Sequence, residues 1–135
     1  MKASLLPGVT RLYRLIVDRD RTIGFMGEEG RVYGTPFLVQ DIERCCRDLL
    51  IEHADVGEDS VGIEISLRHS APTLLGMRVE IIAKVTAVEG REVIFEVSAA
   101  DEFDPIIGSG SHVRFIVDVA KTYERLKVKA AKFAK

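Results

Sequence analysis

Tryptophan is absent from this chain, cysteine occurs twice and proline four times, and no stretch is continuously apolar for long. Each shortage excludes something. A bilayer-spanning helix needs roughly 18 or more apolar residues in a row, and none is present. The opening Met1-Lys2-Ala3-Ser4 leads into no signal-peptide apolar region, so the expected compartment is the cytoplasm. Cys45 and Cys46 are neighbours, which rules out a redox C-x-x-C pair or a zinc knuckle, and no other cysteine could close a structural disulfide. They read as small core residues. Charge of either sign is also scarce in the balance: 19 basic against 21 acidic residues leave a net of −2, which selects no partner. With 47% hydrophobic and 30% charged residues, the chain has the composition of a globular protein, and 135 residues suit one domain spanning 1–135.

The missing motifs narrow the chemistry. There is no nucleophile elbow, no H-E-x-x-H, no P-loop and no G-x-G-x-x-G leading into a helix. The three histidines, His53, His69 and His112, are scattered, so no metal site is expected. Gly108-Ser109-Gly110-Ser111-His112 has the look of a phosphate loop but lies between strands, and a turn or bulge is the simpler reading. Lys121, Arg125, Lys127, Lys129, Lys132 and Lys135 crowd the C-terminus against Glu124 alone. That is the pattern of a solvated helix face, with a phosphate-bearing ligand as the alternative. Nucleic acid is not expected, because no aromatic platform or reading helix accompanies the lysines.

Periodicity supplies the architecture. A mixed strand over Val9–Val17 is followed by a charged loop from Asp18 to Gly30, and Arg31-Val32-Tyr33 suits a brief strand. Thr35 is placed to cap a helix that has Pro36 at its first position. Leu38, Ile42, Cys45, Cys46, Leu49 and Leu50 then recur at helical spacing as far as about His53. After Ser60 the period becomes two: Val61, Ile63, Ile65 and Leu67; Val79, Ile81, Ala83, Val85 and Ala87; Val93, Phe95, Val97 and Ala99; and Val113, Phe115, Val117 and Val119. Glu89-Gly90-Arg91 reads as a tight hairpin turn. The order predicts an α+β protein in which a mainly antiparallel, meander-like sheet of five or six strands curls round one long central helix, the hotdog architecture. An open sheet edge in such a fold is naturally closed by a second copy, so a homodimer is expected, with a tetramer left open.

Two ionisable residues fall near the predicted core. Glu43 sits on the flank of the helix stripe, and His69 ends a strand in register with its apolar residues. Groups of this kind are seldom buried without a partner, and a carboxylate and an imidazole converging on one helix–sheet interface suit general acid–base chemistry. Each also has a bland reading, Glu43 as a solvated flank residue and His69 as a hydrogen-bonded strand end. Thr35 is explained by capping alone, although its hydroxyl and the free N–H groups of a helix start could hold an anionic oxygen.

Taken together, Thr35-Pro36-Phe37-Leu38-Val39, Glu43, Gly62, His69-Ser70-Ala71-Pro72-Thr73, Gly76, Val88-Glu89-Gly90-Arg91, Val97-Ser98-Ala99 and Ile107-Gly108-Ser109-Gly110-Ser111-His112-Val113-Arg114 resemble the fluoroacetyl-CoA thioesterase family of hotdog proteins. The resemblance runs over roughly residues 33 to 120. It implies hydrolysis of an acyl-CoA thioester with no cofactor. Thr35, Glu43 and His69 match the family's catalytic trio, Gly62 a glycine lining the substrate site and Arg114 a substrate-site arginine. An acyl-CoA-binding module without catalysis is the alternative, and a hydratase of the same fold ranks below both. The family's namesake carries an aromatic lid before the helix, whereas Met26-Gly27-Glu28-Glu29-Gly30-Arg31-Val32-Tyr33 is short and charged, so selectivity for a fluorinated acyl group is not expected.

Overall fold

A computed structural model describes residues 1–135. Five strands form a single antiparallel sheet: β1 (Thr10–Ile16), β2 (Glu58–His69), β3 (Arg78–Glu89), β4 (Glu92–Asp101) and β5 (Gly108–Asp118), in the order β1-β3-β4-β5-β2. Helix α1 (Thr35–Glu52) lies in the curve of the sheet and touches β1, β2 and β3, so it reaches both edges, and α2 (Val119–Phe133) closes the chain. This is the hotdog arrangement expected from the periodicity. The helix stripe forms as anticipated: Leu38, Ile42, Cys45, Cys46, Leu49 and Leu50 are all fully buried. Against them stand Val79, Ile81, Ala83 and Val85 of β3 and Val93, Phe95, Val97 and Ala99 of β4. Burial pushes the Cys45 thiol up to about 11, as suits a thiol used for packing. No helix is long and apolar enough to cross a membrane.

Several local expectations are corrected. The four later strands are not a simple meander, because β2 pairs with β5 at the far edge, while β3 pairs with β1 and β4. Segment 31–33 adds no strand to the sheet; Tyr33 and Val32 make only isolated bridges to Thr22 and Leu74. Gly108 to Ser111 are strand residues in β5 rather than a turn. Val119 is the first residue of α2 rather than the end of a strand.

Two bulges explain where strict alternation fails. In β2, Gly62 faces Arg114 and Glu64 faces Val113, so Ile63 is the additional residue. Before the bulge Ser60 and Gly62 point toward α1; beyond it Ile65, Leu67 and His69 do. In β3 the shift between Val85 and Ala87 moves the inward face to Val88, which packs against the core. In β5 the inward set is the even one, with Gly108, Gly110, His112, Arg114 and Ile116, and not the apolar odd series.

The β2–β5 ladder depends on Gly110. A Cβ built there would collide with the Ser66 carbonyl oxygen, a backbone atom that cannot swing aside. Gly110→Ala should therefore destabilise the protein by about 1–3 kcal/mol, the usual cost of overpacking. Urea unfolding is the check, and a variant as stable as the parent would show that the ladder relaxes around the added carbon.

Candidate active site

Gly34 rather than Thr35 caps α1, and no side chain bonds the cap. Thr35 is the first helical residue, with Pro36 after it. Its hydroxyl is therefore not used on its own helix. Instead Thr35 Oγ1 and His69 Nδ1 share a hydrogen bond of 2.8 Å. Phe37 N–H and Leu38 N–H both donate to Gly34 O, while Thr35 N–H has no acceptor within the chain. The pair opens onto a cleft of about 400 Å³ lined by Tyr33, Gly34, Thr35, Pro36, His69 and apolar neighbours. Phe25, almost wholly exposed, stands at its mouth. Burial lowers the His69 pKa below its ordinary 6.5, so the ring is neutral at pH 7.

Glu43 stands elsewhere. Eight residues further along α1 is about 12 Å, and the side chain borders a second cleft of about 520 Å³ together with Arg44, Arg47 and Arg114. A Cβ on Gly62 would lie 2.5 Å from Glu43 Oε1, 3.0 Å from His112 Cε1 and 3.5 Å from Arg114 Nη1, so the absence of a side chain at 62 is what admits the carboxylate. Thus Glu43, Gly62 and Arg114 come together, Thr35 and His69 come together, and the two groups occupy separate clefts of one chain.

Behind Gly62 lies a polar cluster that the alternation of β5 concealed. Arg114 is only 5% exposed. Its Nε donates to Ser60 Oγ at 2.8 Å and its Nη2 to Ser60 O at 2.9 Å. The remaining arm meets His112 Nε2 at 3.2 Å. His112 Nδ1 is 2.8 Å from the Glu64 carbonyl, which can only accept, so Nδ1 carries the proton and Nε2 is free to accept from Arg114. The ring is thereby fixed as the neutral tautomer. Burial lowers its pKa, and the adjacent guanidinium lowers it further. Burial also lowers the Arg114 pKa, and the nearby Glu43 carboxylate opposes that shift.

A second missed cluster braces the loop before α1. Asp41, 3% exposed, accepts from Tyr33 OH at 2.5 Å and from Arg21 Nε and Nη2 at 2.9 and 3.1 Å. The pairing with Asp41 raises the Arg21 pKa. Burial, followed by the bond to Asp41, raises that of the Tyr33 phenol. A signal was present in the sequence, since Asp41 sits within the apolar stripe between Leu38 and Ile42. No group of three His, Cys, Asp or Glu side chains is close enough to hold a metal ion.

The chain is similar to known thioesterases in sequence and in fold. The profile of the fluoroacetyl-CoA-specific thioesterase family, FlK, matches residues 17–120. The fluoroacetyl-CoA thioesterase of Streptantibioticus cattleyicolor is 35% identical over 136 aligned positions, covering 96% of this chain and 97% of that protein. A Thermus thermophilus thioesterase superfamily member of known structure superposes with a TM-score of 0.86 at 28% identity, covering 97% and 98% of the two chains. A variant of FlK in complex with fluoroacetate and CoA superposes with a TM-score of 0.81 at 30% identity, covering 87% of this chain and 99% of the other.

The two depressed histidines give stability a pH dependence. Unfolded histidine binds protons near 6.5 that folded His69 and His112 refuse, so the unfolded state holds more protons in that range and stability rises with pH there. The free energy of unfolding should fall as pH drops below about 6.5, down to the folded-state pKa values. Urea titrations between about pH 8 and about pH 5 test this, and stability that held or rose on acidification would contradict the neutral assignments. On the profile match, the identity and the shared fold, the chain belongs to the FlK family of thioester hydrolases.

Proposed function

We propose that this protein hydrolyses the thioester of a small acyl-CoA at a site built from Thr35, Glu43 and His69, with Gly62 and Arg114 bordering the acyl group. The observation that carries the reading is the pair of half-sites: an imidazole–hydroxyl pair at a helix start, and a carboxylate admitted by a glycine. In this reading the thioester carbonyl lies at the start of α1, where the free Thr35 N–H and the positive end of the helix stabilise the developing oxyanion. In one route Glu43 draws a proton from the attacking water, and neutral His69 takes that proton at Nδ1 and passes it to the departing thiolate. In the other Glu43 attacks the carbonyl carbon and expels the thiolate, leaving an acyl-Glu43 anhydride. Its hydrolysis by water regenerates the carboxylate and supplies the proton that His69 passes on. The CoA complex of the FlK variant supports the substrate class. The two unpaired, buried thiols suit a reducing cytoplasmic setting.

Half-sites separated along one helix need a second chain, and the fold offers a way to bring one. β2 is an open edge on which Val61, Ile63 and Ile65 are exposed. Thr35 and Glu43 are centred on Val39, while His69 and Gly62 are centred near Ile65 and Ser66 of the packed strand. A two-fold axis through that level pairs the β2 edges of two copies and sets the Thr35–His69 pair of each against the partner subunit's Glu43. The homodimer then contains two composite sites.

Thiol release from a panel of acyl-CoAs tests the activity. Glu43→Ala and His69→Ala should each reduce kcat/KM by about 10²–10⁴-fold, while both variants still fold. Gly62→Ala should also lose activity, since its methyl group displaces the Glu43 carboxylate. A trapped acyl-Glu43 species, or isotope from labelled water in the Glu43 carboxylate after turnover, would select direct attack, and the absence of both would select water activation. Silence of the wild type across the panel, with CoA esters still bound, would leave a binding module instead. For the composite site, co-refolded Glu43→Ala and His69→Ala chains should regain about one quarter of wild-type turnover, because half the dimers are mixed and each holds one intact site. No recovery from an equimolar mixture shown to exchange subunits would place the whole trio within one chain.

A further inference from the structure

His69 has one nitrogen in use and one that is not. Nδ1 is bonded to Thr35 Oγ1 at the open cleft, whereas Nε2 is buried without any hydrogen-bond partner. An unpartnered buried nitrogen is costly, so whatever covers it must be held firmly in place. The ring stacked against His69 is Tyr33, edge-to-face, with centroids 6.3 Å apart and an interplanar angle of 80°. Tyr33 is itself 2% exposed and tied at its far end to Asp41, which Arg21 holds through two guanidinium nitrogens.

We propose that Tyr33, braced by Asp41 and Arg21, is a positioning residue that seals one side of His69, so that the imidazole exchanges protons only through Nδ1, at Thr35. The inference rests on the thioesterase reading for its purpose but not for its test. Its geometry explains why a buried carboxylate occupies the apolar stripe of α1 nearly two turns beyond Thr35. It also explains why the phenol points away from the reacting groups. The Tyr33 hydroxyl has no part in the chemistry; the ring is the working surface.

Tyr33, from the loop before α1, meets His69 edge-to-face. Thr35 is its neighbour on α1, and Gly108 stands opposite on β5. Ile23, Phe25 and Val32 on the loop and Ala71 and Pro72 after β2 complete the cleft, with no carboxylate or cation among them. Desolvation is accordingly the sole cause of the depressed pKa of this histidine. Removing the cover should therefore change the titration of His69 without any compensating charge effect.

The test is an NMR titration of the His69 ring in the absence of substrate, assigned by comparison with His69→Gln. The wild type should show a single neutral tautomer and a midpoint below 6.5, the ordinary histidine value. Tyr33→Phe keeps the ring but loses its bond to Asp41, so the midpoint should rise by less than it does in Tyr33→Ala. Tyr33→Ala admits water to Nε2 and should raise the midpoint by about half a pH unit or more. The acid limb of kcat/KM should move up with it. A folded Tyr33→Ala protein with an unmoved midpoint would overturn the proposal. Should Tyr33→Ala fail to fold, the wild-type spectrum decides: rapid averaging between two tautomers, as in a hydrated imidazole, would equally overturn it. Turnover surviving in His69→Ala would instead remove the catalytic reading and leave the ring titration standing, so the two failures are distinguishable.

Discussion

Pairing of β2 with β5 fixes in one step where His69, Gly62 and Arg114 stand, because a strand register assigns every side chain to a face. His69 is opposite Gly108 and Gly62 is opposite Arg114, with the Ile63 bulge between them. In a regular strand Gly62 and His69, seven positions apart, would fall on opposite faces. With the bulge, both face α1. The bulge is thus the device that sends a glycine to Glu43 and an imidazole to Thr35 from one strand. Further along the same ladder Gly110, opposite Leu67, lets the two backbones approach more closely than any side chain would allow.

The same bulge sets the limit of what the sequence could disclose. Long-range periodicity was legible: the α1 stripe, the inward faces of β3 up to Val85 and of β4, and the turn at Gly90, whose φ of +62° suits glycine, follow directly from spacing. Strand order was not legible, since nothing local in β2 says that it pairs with β5 across the sheet rather than with β3. In β5 the apolar odd residues suggested the core face, yet the inward positions are held by His112 and Arg114. Their polarity disguised their burial. At the site, Thr35, Glu43 and His69 were recognisable as residue types with suggestive neighbours. Their division into two clefts was not, because it depends on how far apart the helix sets positions 35 and 43.

Two buried ionic clusters, rather than one, flank the helix, and they solve different problems. Arg114 donates to Ser60 and His112, which bind it without neutralising it, and the carboxylate of Glu43 is an opposing charge that acts on it. A guanidinium dissolved in neutral acceptors keeps its field available to whatever lies beside Gly62. Had a carboxylate been bonded to it directly, that field would have been spent within the protein. His112 fits this role because the Glu64 carbonyl holds its proton on Nδ1, leaving only a lone pair to offer the arginine.

Asp41 shows the opposite design. Its carboxylate is saturated by Tyr33 and Arg21, and little of its charge is left for other groups. A leucine at this point of the stripe would bury more apolar surface, and replacing a buried ion pair by well-packed apolar residues is often neutral or stabilising by about 1–4 kcal/mol. Stability alone therefore gives no reason for an aspartate here. What an apolar residue lacks is direction. The segment from Asp18 to Tyr33 contributes few side chains to the core, Thr22 and Tyr33 among them, and has only isolated bridges instead of strands. Dispersion would leave such a segment free to slide over α1. Two guanidinium bonds and one phenolic bond to a single carboxylate hold it at a defined height above Thr35. The imidazole of His69 then meets a fixed aromatic wall on one side and a hydroxyl on the other.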